Sequence, residues 1–236
     1  MKQLFVLGIA VLLLVAPGCK SGAGSAATVM KSPGFNLGDL EVLAYLGLGS
    51  SVEDAMAVAM MGPVLEGHLQ AAPHDFVILS ASECARRASL DGVQELHRDV
   101  LDFWLDHKKV DKLKMQQLCS ILGVQAILVG VIEDWIQSRG STAADEAAHT
   151  QITASLSIYS AATGRREWRA RSTVMRAAQQ FETSDRDTGR GSRMSGIGSK
   201  RDMAGLSANL RSGSAPPRFE EVIPEVAAEL AEAMVP

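Results

Sequence analysis

The spacing of apolar positions along the chain changes several times, and each change marks an element. Residues 40–48 carry Leu40, Val42, Leu43, Tyr45, Leu46 and Leu48 in a short run that predicts a first strand, ended by Gly47, Gly49, Ser50 and Ser51. Ser51 with Asp54 three residues on resembles a capping box. The helix it opens would carry Val52, Met56, Ala59 and Met60 on one face. Gly62-Pro63 is expected to kink or divide that helix, because proline removes a backbone donor and clashes with the preceding turn. Pro73 closes the region, and Phe76-Val77-Ile78-Leu79 reads as a second buried strand followed by Ser80, Ser82 and Glu83 as cap candidates. Val93, Leu96, Val100, Leu101 and Trp104 then recur at helical spacing, with Glu95, Arg98, Asp99 and Asp102 on the remaining surface. A further helix from Asp111 carries Leu113, Leu118, Ile121 and Leu122 and ends at Gly123, a C-terminal cap.

The period then shortens to that of strands. Residues 125–132 are apolar almost without alternation, which places them in mid-sheet with both faces covered. Residues 151–159 alternate: Ile152, Ala154, Leu156 and Ile158 share one face, while Gln151, Thr153, Ser155, Ser157 and Tyr159 share the other, predicting one wet face. Thr163-Gly164 makes a hairpin turn. On the return strand Trp168, Ala170 and Val174 face one way and Arg165, Glu167, Arg169 and Arg171 the other. Periodicity is lost from 183 to 217. Helical spacing resumes in Phe219, Val222, Ile223, Val226, Leu230 and Met234, with Glu220, Glu221, Glu225, Glu229 and Glu232 toward water. The fold class expected is α/β, a compact sandwich of a mixed sheet with packed helices.

The first residues lie outside this pattern. Met1-Lys2-Gln3 is a short basic start, and residues 4–15 are an apolar run shorter than the roughly 20 residues a spanning helix needs. Ala16-Pro17-Gly18-Cys19 places a small residue directly before a cysteine, which resembles a bacterial lipoprotein signal. That resemblance implies cleavage after Gly18 and acylation of Cys19. Ala16 departs from the leucine usual at that position. An ordinary secretory peptide with a chance cysteine is the alternative. The expected organisation is a signal peptide over 1–18, a lipidated Gly- and Ser-rich tether over 19–38, an α/β domain over 39–182, a flexible loop over 183–217 and a C-terminal helix over 218–236 packing on the domain. Lys20 beside the cysteine is not the aspartate linked to inner-membrane retention in enteric bacteria, so the resemblance favours the outer membrane, periplasmic side.

Leu122-Gly123-Val124-Gln125-Ala126-Ile127-Leu128-Val129-Gly130, then Leu156-Ser157-Ile158-Tyr159, Thr163-Gly164 and Trp168, resemble a pattern shared by a group of envelope proteins. The group comprises the curli secretion lipoprotein family, the lipoprotein activators of penicillin-binding proteins and the amino-terminal domain of TolB. The resemblance spans about residues 40–180 and rests on packing and turn residues. It implies a lipid-tethered α/β domain, without cofactor, that binds an envelope protein partner, with a ring or secretion subunit as the alternative and a homo-oligomer in that case. A curli-type pore needs apolar hairpins that the polar stretch 183–217 does not supply.

Composition adds limits. With 23 basic and 27 acidic side chains the formal charge is −4, so no global field draws nucleic acid. The charge is uneven, however: between 165 and 211 basic residues outnumber acidic ones. Arg165, Arg169 and Arg171 are the expected partner-binding residues, through an acidic partner, anionic headgroups or cell-wall polymer, with a plain solvated face as the alternative. Cys84 and Cys119 could pair in an oxidising compartment or stay as buried thiols. His68, His74, His97, His107 and His149 do not fall at metal-ligand spacing. Gly47-Leu48-Gly49 lacks the third glycine and the lysine of a phosphate loop. Ser80 and Ser82 lack the glycines of a hydrolase elbow. Glu133-Asp134 is an acidic pair at a strand end and the one place where an envelope hydrolase would be sought.

Overall fold

A computed structural model of the chain describes residues 26–140, 147–178 and 215–235. The signal peptide, Gly18, Cys19 and almost all of the loop expected over 183–217 lie outside the described residues. One mixed sheet of six strands runs through the described part in the order β1-β6-β5-β4-β2-β3. The strands are β1 (Thr28–Lys31), β2 (Val42–Ser50), β3 (Val77–Leu79), β4 (Ala126–Ser138), β5 (His149–Ser160) and β6 (Arg166–Ala177). The helices are α1 (Ala55–Ala71), α2 (Ala81–Leu90), α3 (Gln94–His107), α4 (Lys112–Leu122) and α5 (Phe219–Glu232). β2 runs parallel to β3 and β4, and the pairs β4–β5, β5–β6 and β1–β6 are antiparallel. The expected α/β sandwich with a mixed sheet is therefore present.

Two apolar layers hold the helices on opposite faces of this sheet. On one face Met61, Leu65 and Leu69 of α1 and Val222, Val226 and Leu230 of α5 pack on Ile132, Ile152, Ala154, Leu156, Ile158 and Trp168. On the other face Cys84 of α2, Val100 and Trp104 of α3 and Met115, Leu118 and Leu122 of α4 pack on Ala44, Leu46, Ile127, Val129 and Tyr159. α5 returns to the sheet from far along the chain, and polar contacts help to seat it. Phe219 stacks on Trp135 with ring centroids 4.1 Å apart. Gln137 and Thr150 both donate to the Pro217 carbonyl. Glu225 accepts from Arg176 at 2.9 Å and Glu229 from Ser172 at 2.6 Å. These two glutamates were expected to face water and instead tie α5 to β6.

Several local expectations change. The tether expected over 19–38 is partly strand: Thr28–Lys31 pairs with Trp168 to Arg171 of β6 and forms the sheet edge. Asp54, not Ser51, caps α1, accepting from the Met56 amide at 2.8 Å. Pro63 neither ends nor divides α1, which runs unbroken to Ala71. Asp111 and Gly123 cap α4 as expected, Gly123 with φ +69°.

Cys84 and Cys119 are free thiols in the α2–α4 layer, so the pairing left open in the sequence is not formed. Burial pushes both thiols up to about 12, leaving very little thiolate at neutral pH. In a Cys19→Ser chain at pH 8, a thiol reagent is expected to label both only when denaturant is added. Fast labelling of the native chain would contradict this packing.

Candidate functional site

The helices of the second face do not close over the sheet completely. Between the end of α3 and the middle of β4, β5 and β6 lies a cavity of about 260 Å³ lined by Ser51, Trp104, Lys108, Glu133, Ser157 and Arg169, among others. Local irregularities of the chain shape it. β4 carries a bulge at Glu133, because Ile132 pairs with Ala154 while Asp134 pairs with Thr153. β6 carries another at Glu167, because Ile158 pairs with Trp168 while Tyr159 pairs with Arg166. An extra residue changes which face the following side chains occupy.

The second bulge corrects the arginine row. Arg165 lies in the turn before β6, exposed, with its amide donating to Thr163 Oγ1 at 3.1 Å. Arg166 takes the place expected for it, lining the cavity with Arg169. Arg169 and Arg171 are on the expected face, and β1 rather than β6 forms the edge beside them. Alternation alone cannot reveal a one-residue bulge, which is why the row was misread at its first member.

Glu133 is the electrostatic centre of this face. Its Oε1 accepts from Arg169 Nη2 at 2.5 Å and from Ser155 Oγ at 2.7 Å, and its Oε2 accepts from Arg171 Nε at 2.7 Å. Burial acts to raise its carboxyl. The hydrogen bonds from Arg171, Ser155 and Arg169, with the charge of Arg169, outweigh that and hold it below the ordinary 4.5. A carboxylate with three donors and a lowered affinity for protons is a weak general base and a poor general acid near neutrality. These bonds also account for the burial of Ser155, and Thr153 and Ser157 beside it are buried as well. The wet face expected for β5 is therefore largely covered, by polar neighbours on β4 and β6.

The roof of the cavity is α3. Its close approach to β2 depends on Gly49, where a Cβ would lie 2.0 Å from Leu105 Cδ2 and 3.6 Å from Trp104 Cζ3. The Trp104 indole N–H donates to the Tyr159 hydroxyl at 3.2 Å, and that hydroxyl donates to the Lys108 carbonyl at 3.3 Å. Lys108 caps α3 with φ +52° and is the one non-glycine residue with positive φ among the described residues. A side chain in that conformation costs roughly 1 kcal/mol, and glycine is the usual occupant. Its Nζ lies 5.4 Å from the centroid of the Trp104 ring. Neither Lys108, whose role sequence reading missed, nor Arg166 has an acidic partner among the described residues. Arg169 Nε is buried with no acceptor. Among the described residues no group of three His, Cys, Asp or Glu could hold a metal ion, and no helix is long and apolar enough to cross a membrane.

No family model and no curated protein matches the chain. Solved structures it resembles include the PelC dodecamer from Paraburkholderia phytofirmans, at 12% identity over 88% of this chain and 96% of that chain, with a TM-score of 0.43. Lipoprotein GNA1162 from Neisseria meningitidis is 12% identical over 61% of this chain and 88% of that one, with a TM-score of 0.37. The LpoB C-terminal domain from Salmonella enterica is 14% identical over 61% and 87%, with a TM-score of 0.38. At these scores the likenesses assign no function to this chain.

Proposed function

We propose that the chain is a non-enzymatic, lipid-anchored, periplasm-facing envelope protein that binds or regulates a protein partner in outer-membrane or cell-wall assembly or secretion. The observation that carries the binding role is the cavity under α3, with Lys108 and Arg166 unpaired among the described residues at its wall. Glu133 supports binding over hydrolysis, since its oxygens are already taken by Arg169, Arg171 and Ser155. The anchor rests on Ala16-Pro17-Gly18-Cys19. A chain acylated at Cys19 by more than one fatty acid would hold stably to the membrane, each buried methylene contributing about 0.8 kcal/mol.

Two measurements test the two halves of this reading. Radiolabelled palmitate is expected to mark the wild-type chain and not Cys19→Ala, and equal labelling of both would remove the anchor. A photo-crosslinking residue at position 165, on the exposed turn beside the cavity, is expected to trap one protein in intact cells. Capture of no specific protein there, and none from positions 166 and 171, would end the partner reading.

A further inference from the structure

We propose that the cavity under α3 is a carboxylate-binding subsite for a peptide, receiving an acidic side chain or a chain terminus of the partner. This deepens the partner-binding reading and rests on it. Two cationic residues that line the space, Lys108 and Arg166, have no acidic partner among the described residues, and Arg169, which lines it too, keeps a fully buried Nε without an acceptor. A guanidinium offers a carboxylate two parallel donors, and an adjacent ammonium adds charge without competing for that fork. Glu133 occupies another part of the wall with a fixed negative charge. That charge disfavours a phosphate dianion and is tolerable for a monoanion beside two unpaired cations. The walls formed by Trp104, Tyr159 and Val131 are apolar, which suits a short aliphatic stem behind the charged group. A volume of about 260 Å³ admits one side chain of that size and not a folded element.

The position of Lys108 fits the same reading. Its positive φ closes the C-terminus of α3, and its ammonium lies 5.4 Å from the ring centroid of Trp104, another residue of the cavity wall.

The test uses the full chain, ¹⁵N-labelled in detergent micelles, with the Trp104 indole N–H as reporter because it bonds Tyr159 inside the cavity. Four probes are titrated: N-acetyl-glutamic acid α-amide, N-acetyl-glycyl-alanine with a free carboxylate, the same dipeptide amidated, and inorganic phosphate. A saturable shift is expected with one or both carboxylates and none with the amidated dipeptide, and the tighter carboxylate identifies side chain or terminus. Phosphate is expected to bind at least about tenfold more weakly. Arg166→Ala and Lys108→Gly should each weaken carboxylate binding about tenfold or more. Lys108→Gly keeps a favourable backbone there, and a native far-ultraviolet circular dichroism spectrum in that variant separates loss of binding from loss of fold. No saturable shift, an equal response to the amidated dipeptide, phosphate binding as tightly as carboxylate, or unchanged affinity in both variants would each overturn the proposal. Failure here leaves trapping of a partner in cells untouched, and failure to trap a partner leaves carboxylate binding in micelles intact, so the two readings fall separately.

Discussion

Replacing Trp104 by alanine is expected to destabilise the chain by about 3–5 kcal/mol, the range for removing a large buried aromatic. Trp104 is 3% exposed and joins α3 to the sheet in two ways. Its ring sits in the α2–α4 apolar layer near Gly49, and its N–H satisfies the Tyr159 hydroxyl. Alanine leaves a void and removes the donor. Phenylalanine keeps most of the apolar surface and loses the hydrogen bond and the smaller part of the ring volume, so Trp104→Phe should cost about 1–2 kcal/mol. Urea unfolding followed by far-ultraviolet circular dichroism gives both values. If Trp104→Ala is too unstable to measure, a cycle of Trp104→Phe and Tyr159→Phe still reports the bond, with a coupling of about 0.5–1.5 kcal/mol expected. A difference below about 1 kcal/mol between the alanine and phenylalanine variants would show that α3 is not held by the ring.

Glu133→Ala should carry the next largest penalty, about 1–3 kcal/mol. Deleting one member of a fully buried ion pair costs about 3–5 kcal/mol, and exposed pairs contribute about 0–1 kcal/mol. Glu133 and Arg169 are 22% and 25% exposed and Arg171 is 47% exposed, so the network falls between these limits. Without the carboxylate, Arg169 and Arg171 repel each other across one face of β6. A pH dependence follows from the same contacts. The folded-state carboxyl lies below its ordinary 4.5, so folding favours the charged form. Its contribution is complete above the ordinary value and is lost as pH falls through the folded one. Stability of the wild type should therefore decline below about pH 4.5 more steeply than that of Glu133→Gln. Parallel acid limbs in the two unfolding profiles would rule the network out as the cause.

The most legible part of the sequence was the run from α4 through β6. Gly123 ends α4, β4 lacks alternation because helices cover both its faces, and Gly164 takes φ +72° in the turn. Asp111 was legible as a cap because its carboxylate meets the Leu113 and Lys114 amides, a contact within one turn. The first strand of the sheet was not legible. Four exposed residues next to a Gly- and Ser-rich stretch carry no apolar period, and Thr28–Lys31 is a strand only because β6 presents a partner edge to it. Pro63 does not divide α1 for a related reason: the helix is held along its length by the layer it shares with α5, and that packing outweighs one missing hydrogen bond.

The candidate site was half visible. Arg169, Arg171 and the acidic pair at Glu133 could be named from composition and alternation, and Trp104 from helical spacing. That Glu133 joins Ser155, Arg169 and Arg171, that Arg166 displaces Arg165, and that Lys108 reaches the same space are facts of register and of chain reversal.

The sequence by itself determined the elements whose causes are local: the strand and helix periods, the caps at Asp111 and Gly123, the Thr163-Gly164 turn and a mixed α/β layer. Tertiary structure alone decided the rest. Bulges at Glu133 and Glu167 set which side chains face the cavity, because one extra residue reverses a strand's alternation. The edge pairing of β1 with β6 and the seating of α3 over Gly49 depend on surfaces brought together from distant parts of the chain. No local pattern encodes such surfaces, and the cavity exists only where they meet.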